Sequence, residues 1–210
     1  EDWFYSDKDY IHFIAEETEM LKGKNISCQI DEGKSIFAIR SSILVYFYMK
    51  ALDNYLMASD KLFGLLLSDP FKLDLEDYNK ILHEKQLLKR DKPNDFISIM
   101  QRLDGWQNPQ KVNEFLETFA YLQEYSTVNS LRNTIVEIVN RAGILEYFYK
   151  TESNRTENLM GIKKIISEAT DFSNIDKTKG LTDFIEYLDY ESNKTNNILD
   201  RVDSQKKEEL

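Results

Sequence analysis

The 210-residue chain is 41% hydrophobic and 12% aromatic, enough for one sizeable core, which excludes global disorder. Its 37 acidic and 27 basic residues give a net charge of -10, which excludes broad nonspecific attraction to phosphate backbones and leaves that task to local basic faces. The single cysteine, Cys28, excludes an intramolecular disulfide framework and suits a reducing compartment.

The N-terminal Glu1-Asp2-Trp3-Phe4 lacks the basic start and apolar run of a secretion signal. No stretch approaches the roughly 18 uninterrupted apolar residues of a membrane span. A cytoplasmic location without a membrane partner is therefore expected, and the N-x-S/T sequons at Asn25, Asn154 and Asn193 are read as coincidence in an Asn-rich chain. Ser6, with Asp9 three residues on, caps a helix carrying Tyr10, Phe13, Ile14 and Leu21, which ends at Gly23. Ile26, Cys28 and Ile30 alternate with polar residues like a short strand. After the turn Asp31-Glu32-Gly33-Lys34, Ser35 to Ile39 is either a second short strand or the run into a helix.

From Ser42 the pattern is helical. Ile43, Phe47, Ala51 and Tyr55 form one stripe, and Leu44, Tyr48, Leu52 and Leu56 a second beside it, so this helix is contacted on two sides. Ser59 caps a helix from Leu62 to Leu67 that must stop before Pro70. Asp74 and Asp77 start another, with Tyr78, Ile81 and Leu82 inside. Asn94 or Asp95 caps one carrying Phe96, Ile97, Met100 and Leu103. Asn108 caps a helix with Pro109 at its first position and Val112, Phe115, Leu116, Phe119 and Leu122 on its buried face.

Leu131, Ile135, Ile138, Val139 and Ala142 mark a helix that stops at Gly143, followed by an aromatic turn over 144–149. Arg155-Thr156-Glu157-Asn158-Leu159 opens a helix with Ile162, Ile165, Ile166, Ala169 and Phe172 inward. Gly180-Leu181 opens the last one, through Phe184 and Leu188. The fold class is mainly α: an irregular multi-helix domain with at most a short β-hairpin or strand pair near residues 25–39.

Catalytic patterns are missing. Gly33-Lys34-Ser35 has the tail of a phosphate-binding loop, but Cys28 stands where the motif needs its first glycine, and Asp31 and Glu32 would repel phosphate. His12 and His83 lack metal-like partners one helical turn away. No nucleophile elbow or Cys/His pairing signature occurs. The reading is no catalytic residue, no metal and no cofactor in this stretch. Two basic clusters remain as nucleic-acid contact candidates: Lys85, Lys89, Arg90 and Lys92 around a loop, and Arg155, Lys163 and Lys164 on one helix.

The order of these pieces resembles the accessory (2B) subdomain inserted in the second motor domain of UvrD/Rep/PcrA-like superfamily 1 DNA helicases. Ile26 to Ile30 with Gly33 and Phe37 resembles the strand entering the insertion. Leu66-Leu67-Ser68-Asp69-Pro70-Phe71 resembles a helix end of the family, and Leu73 to Tyr78 the short helix after it. Gly143-Ile144-Leu145-Glu146-Tyr147, then Arg155 to Leu159, then Gly180 to Leu188, resemble its closing segments. The resemblance divides the chain into 1–40, a fringe like the 2A motor domain; 41–192, the helical accessory domain; and 193–210, a polar segment. It implies a parent enzyme that unwinds DNA in repair or recombination using ATP and Mg, with this piece contacting duplex or junction DNA and a possible protein partner, and hydrolysing nothing by itself. The motor motifs and a match to the family's Gly-Ile-Gly duplex-contacting element are absent; Asp104-Gly105-Trp106 is the nearest stretch. A second expectation, from acidity and aromatic faces, is a free-standing helical adaptor that binds proteins. A nuclease subunit is a third and lacks a carboxylate cluster.

Overall fold

The computed structural model describes residues 36–68, 70–87, 95–151 and 154–192. The expected first helix, the strand at 26–30, Cys28, His12, the basic residues Lys89, Arg90 and Lys92, and the segment 193–210 lie outside the described residues. Among those described the fold is all helix. Ile36–Ala38 is a single 3₁₀ turn, so this part of the possible second strand is instead the run into a helix.

Ile39, in extended conformation, leads into α1 (Arg40–Asp53). Then come α2 (Asp60–Ser68), α3 (Leu75–Leu87), α4 (Phe96–Arg102), α5 (Pro109–Val128) and α6 (Leu131–Arg141). They are followed by α7 (Ile144–Lys150), α8 (Arg155–Ile175) and a last helix, α9, over 181–192. The caps are those the side chains dictate. Ser59 Oγ accepts from the Leu62 N–H at 3.2 Å, Asp95 from Ser98 at 2.9 Å and Asn108 from Lys111 at 3.2 Å. Each satisfies a donor that a helix start leaves without a partner.

α1 is the central helix, buried at nearly every position from Ser41 to Leu52. The stripe of Leu44, Tyr48 and Leu52 is inside, joined by Val45 and Met49. Leu56 departs from it: the helix stops at Asp53, and Leu56 is exposed in the turn beyond. The 144–149 stretch also departs from expectation. Gly143 adopts φ +67°, which frees the chain to restart at once as the two-turn helix α7, with Ile144 and Phe148 inward.

α1 packs most closely along α8, and the reason is local. A Cβ on Gly161 would lie 2.5 Å from Ile39 Cγ2, 2.6 Å from Ser41 Oγ and 2.7 Å from Ser42 Oγ. Beside it, buried Asn158 accepts from the Ser41 N–H at 3.2 Å, and the Asn158 carbonyl accepts from Ser41 Oγ at 2.6 Å. A second polar lock joins α3 to α5. The buried Asp77 carboxylate accepts from the N–H groups of Gln107 (2.8 Å) and Asn108 (3.0 Å). Aromatic rings fill the space between α2, α4 and α5, with Phe63 stacked on Phe96 at 5.0 Å and Phe115 on Phe119 at 6.0 Å. Burying each such ring stabilises the fold by about 1.5–3 kcal/mol.

Two stability predictions follow from this packing. Gly161→Ala overpacks the α1–α8 contact and costs about 1–3 kcal/mol in a denaturant melt, whereas Gly180→Ala, with no atom within 4 Å of its added Cβ, meets no steric obstacle. Unchanged stability of Gly161→Ala contradicts the close approach. The fully buried Tyr48 hydroxyl has no hydrogen-bond partner among the described residues. Burial also pushes it well above the ordinary tyrosine range. A raised folded-state pKa contributes stability below the unfolded value, about 10, that is lost as pH climbs past it. Tyr48→Phe should therefore match or exceed the parent Tm at neutral pH, and lose less stability above about pH 10.

Candidate functional site

Of the basic candidates, Lys85, Arg155, Lys163 and Lys164 lie among the described residues. Lys85 Nζ pairs with Asp60 and lies 4.9 Å from the centre of the Phe96 ring. Arg155 opens α8 with its guanidinium 5.2 Å from the Tyr149 ring. Lys163 is exposed on the same helix and Lys164 half-buried. None of these four lines the groove described next.

The groove has a volume of about 600 Å³. It lies between the loop joining α2 to α3, the first half of α5, the end of α6 and α7. Four cations line it: Lys72, Lys111, Arg141 and Lys150. Glu114 and Glu146 are the two carboxylates among its lining residues, so it carries a cationic surplus on a chain of net charge -10.

Each cation is placed by its element. Lys72 sits at φ +52°, a left-handed conformation that costs a non-glycine residue about 1–2 kcal/mol. Its neighbours explain how it is held. Phe71 packs edge-on against Phe115 at 5.0 Å, and the Leu73 N–H donates to the Leu67 carbonyl at 2.8 Å. The bend leaves the Lys72 ammonium 5.6 Å from the Tyr147 ring and its carbonyl accepting from Lys111 Nζ. Arg141 Nε donates to Glu137 at 3.0 Å, with its guanidinium 4.8 Å from the Tyr121 ring. Lys150 pairs with Glu146 one turn earlier on α7. These exposed pairs are worth little in stability, but they orient the cations. Ala142 and Gly143 let the chain turn sharply between Arg141 and α7.

The chemistry of this arrangement suits anions. Lysine and arginine heads on several elements, backed by aromatic rings, suit repeated phosphate contact. Among the described residues no group of three His, Cys, Asp or Glu side chains is placed to hold a metal ion. No helix among them is long and apolar enough to cross a membrane. No family model matches the chain, and no curated protein matches it.

The groove cations were invisible as a cluster because they lie far apart along the chain. In the structure Arg141 and Lys150 are last-turn cations that complement helix dipoles. The usable signal was indirect: two of the four flank Gly143, where the chain reverses.

Lys85→Met separates the two basic sets. It removes the Asp60 pair and weakens the contact with Phe96, lowering stability by about 0.5–1 kcal/mol. Binding of a duplex–single-strand junction should stay within twofold, measured by anisotropy well below the melting temperature. A large loss of junction affinity with unchanged stability would return Lys85 to the interface.

Proposed function

We propose that this chain is the accessory helical domain of an ATP-dependent DNA helicase of the UvrD-like superfamily 1 type, and that its basic groove holds the phosphate backbone of duplex DNA at the unwinding junction. The observation that carries the reading is the convergence of Lys72, Lys111, Arg141 and Lys150 on one groove of an acidic chain. A local basic groove on a repulsive surface favours one docking geometry, since the remaining surface turns phosphate away. The sequence resemblance supports the same reading through Gly143, Asn158 and Phe184. In this reading the motor domains of the parent enzyme bind ATP and Mg in the cytoplasm, and this domain contributes duplex contact.

The adaptor reading has its own support in Leu56 and Met57, which stand 62% and 82% exposed beside a half-open cleft at the end of α1. One experiment separates the two. A labelled duplex–single-strand junction is titrated with the chain at several salt concentrations. If all four cations release a counterion, a fourfold rise in salt weakens binding about a hundredfold. Joint reversal of Lys72, Lys111, Arg141 and Lys150 to Glu should abolish binding, while Glu114→Gln with Glu146→Gln tightens it. Absence of binding at low salt, or indifference to both sets of changes, overturns the duplex-groove proposal and favours the adaptor.

A further inference from the structure

Two aromatic residues line the basic groove, Phe71 and Tyr147. Phe71 packs edge-on against the buried Phe115 at 5.0 Å. Tyr147 is placed differently. It is half-buried on α7, packed in part against the core, with its ring edge-on to Phe148 at 5.0 Å. Lys72 Nζ stands over the Tyr147 ring, 5.6 Å from its centre, and Lys72 is itself a groove residue. That face of the ring is therefore turned to a cation of the groove and not into the core.

Cations flank this face on both sides. Lys150 follows Tyr147 by three residues on α7, which puts the two on one side of the helix, and both line the groove. Lys72 arrives from the α2–α3 loop, at the residue with φ +52°. A basic groove with an aromatic face among its cations is the combination that holds unpaired nucleic-acid strands. The cations follow the phosphates, and a base of any identity stacks on the ring. Duplex DNA has no use for the ring, because its grooves present base edges only.

Magnitudes decide what occupies the ring. An ammonium over an exposed ring is worth about a two- to fivefold factor. A base stacked on an aromatic side chain is worth about five- to 150-fold. The base therefore displaces the ammonium. Lys72, on its flexible four-carbon stem, then turns to a strand phosphate, a stronger charge-assisted partner.

We propose that Tyr147 stacks the first unpaired base where the duplex ends, so that the groove selects a duplex–single-strand junction over duplex alone. The proposal rests on the duplex-groove reading and adds the residue that meets the unpaired strand.

Two labelled junctions test it, alike in duplex and phosphates. One carries an ordinary single-stranded arm, and in the other the arm is abasic. The full chain is titrated with each by anisotropy. The parent should bind the ordinary arm about tenfold more tightly than the abasic arm, with the same salt dependence for both, since the phosphates are the same. Tyr147→Leu should bind both arms alike, at the level the parent shows for the abasic arm. Tyr147→Phe keeps the ring and should restore the preference. Equal binding of the two arms by the parent, or a preference that survives in Tyr147→Leu, overturns the stacking. The duplex groove is scored by different variants. If joint reversal of Lys72, Lys111, Arg141 and Lys150 abolishes binding while the arms are bound alike, only the stacking fails. A parent that binds neither junction overturns the groove and the stacking together.

Discussion

The contact between α1 and α8 leaves no room for a side chain at position 161, and the rest of the fold is arranged around that closeness. With Gly161 against Ile39, Ser41 and Ser42, the α8 backbone comes near enough for Asn158 to meet Ser41 through both its side chain and its carbonyl. Two polar residues inside an apolar core are tolerable because each supplies what the other lacks. The register of α8 on α1 is thereby fixed by hydrogen bonds as well as by shape. Helices α6 and α7 pack against α8, and their junction at Gly143 forms one wall of the basic groove. The tether of α9 completes the frame, with Tyr46 and Lys50 of α1 both bonded to Asp189, the latter at 3.0 Å.

The distribution of charge follows from the same frame. Carboxylates outnumber cations on the chain, yet the buried ones have fixed structural duties. Asp77 ends inside because two backbone N–H groups at the start of α5 need an acceptor, and Asp95 because α4 needs a cap. Cations collect at the other ends of helices, where dipoles favour them. Arg141 closes α6 and Lys150 closes α7, and because the chain reverses at Gly143 both line the same groove. The site is a by-product of ordinary helix chemistry at a sharp bend, with Lys72 added at the expense of a left-handed backbone.

Helix boundaries are legible from neighbouring residues, whereas contacts between distant residues leave no local mark. Ser59, Asp95, Asn108 and Pro109 announced helix starts because capping is a matter of three or four neighbouring residues. Pro70 and Gly143 announced stops for equally local reasons. The aromatic stretch after Gly143 is too short to show a full helical period in sequence, and the stability of the helix it forms comes from Ile144 and Phe148 reaching the core. The burial of Asp77 had no local mark at all: a helix-start acid is ordinarily solvated, and only the return of the chain 30 residues later makes it internal. The basic clusters show the same limit. Lys111 sits beside Lys72 only after α2 to α5 have packed, a proximity that spacing along the chain does not show.

The residues that carry the helicase resemblance occupy packing positions. Gly143 turns the chain, Asn158 locks α8 to α1, and Phe184 is fully buried beside Phe172 and Tyr187. None of these side chains offers a charge or a donor to a ligand, whereas the four groove cations, Lys72, Lys111, Arg141 and Lys150, are residues on which the resemblance does not rest. Core positions answer to shape, which tolerates few alternatives at close contacts such as Gly161. Surface cations answer only to the partner and can be supplied from several places along a helix. In the proposed duplex reading, a domain of this design keeps its architecture while phosphate contacts are supplied from other positions. The missing Gly-Ile-Gly element is then compatible with duplex contact, provided other cations converge elsewhere, as they do between α5 and α7.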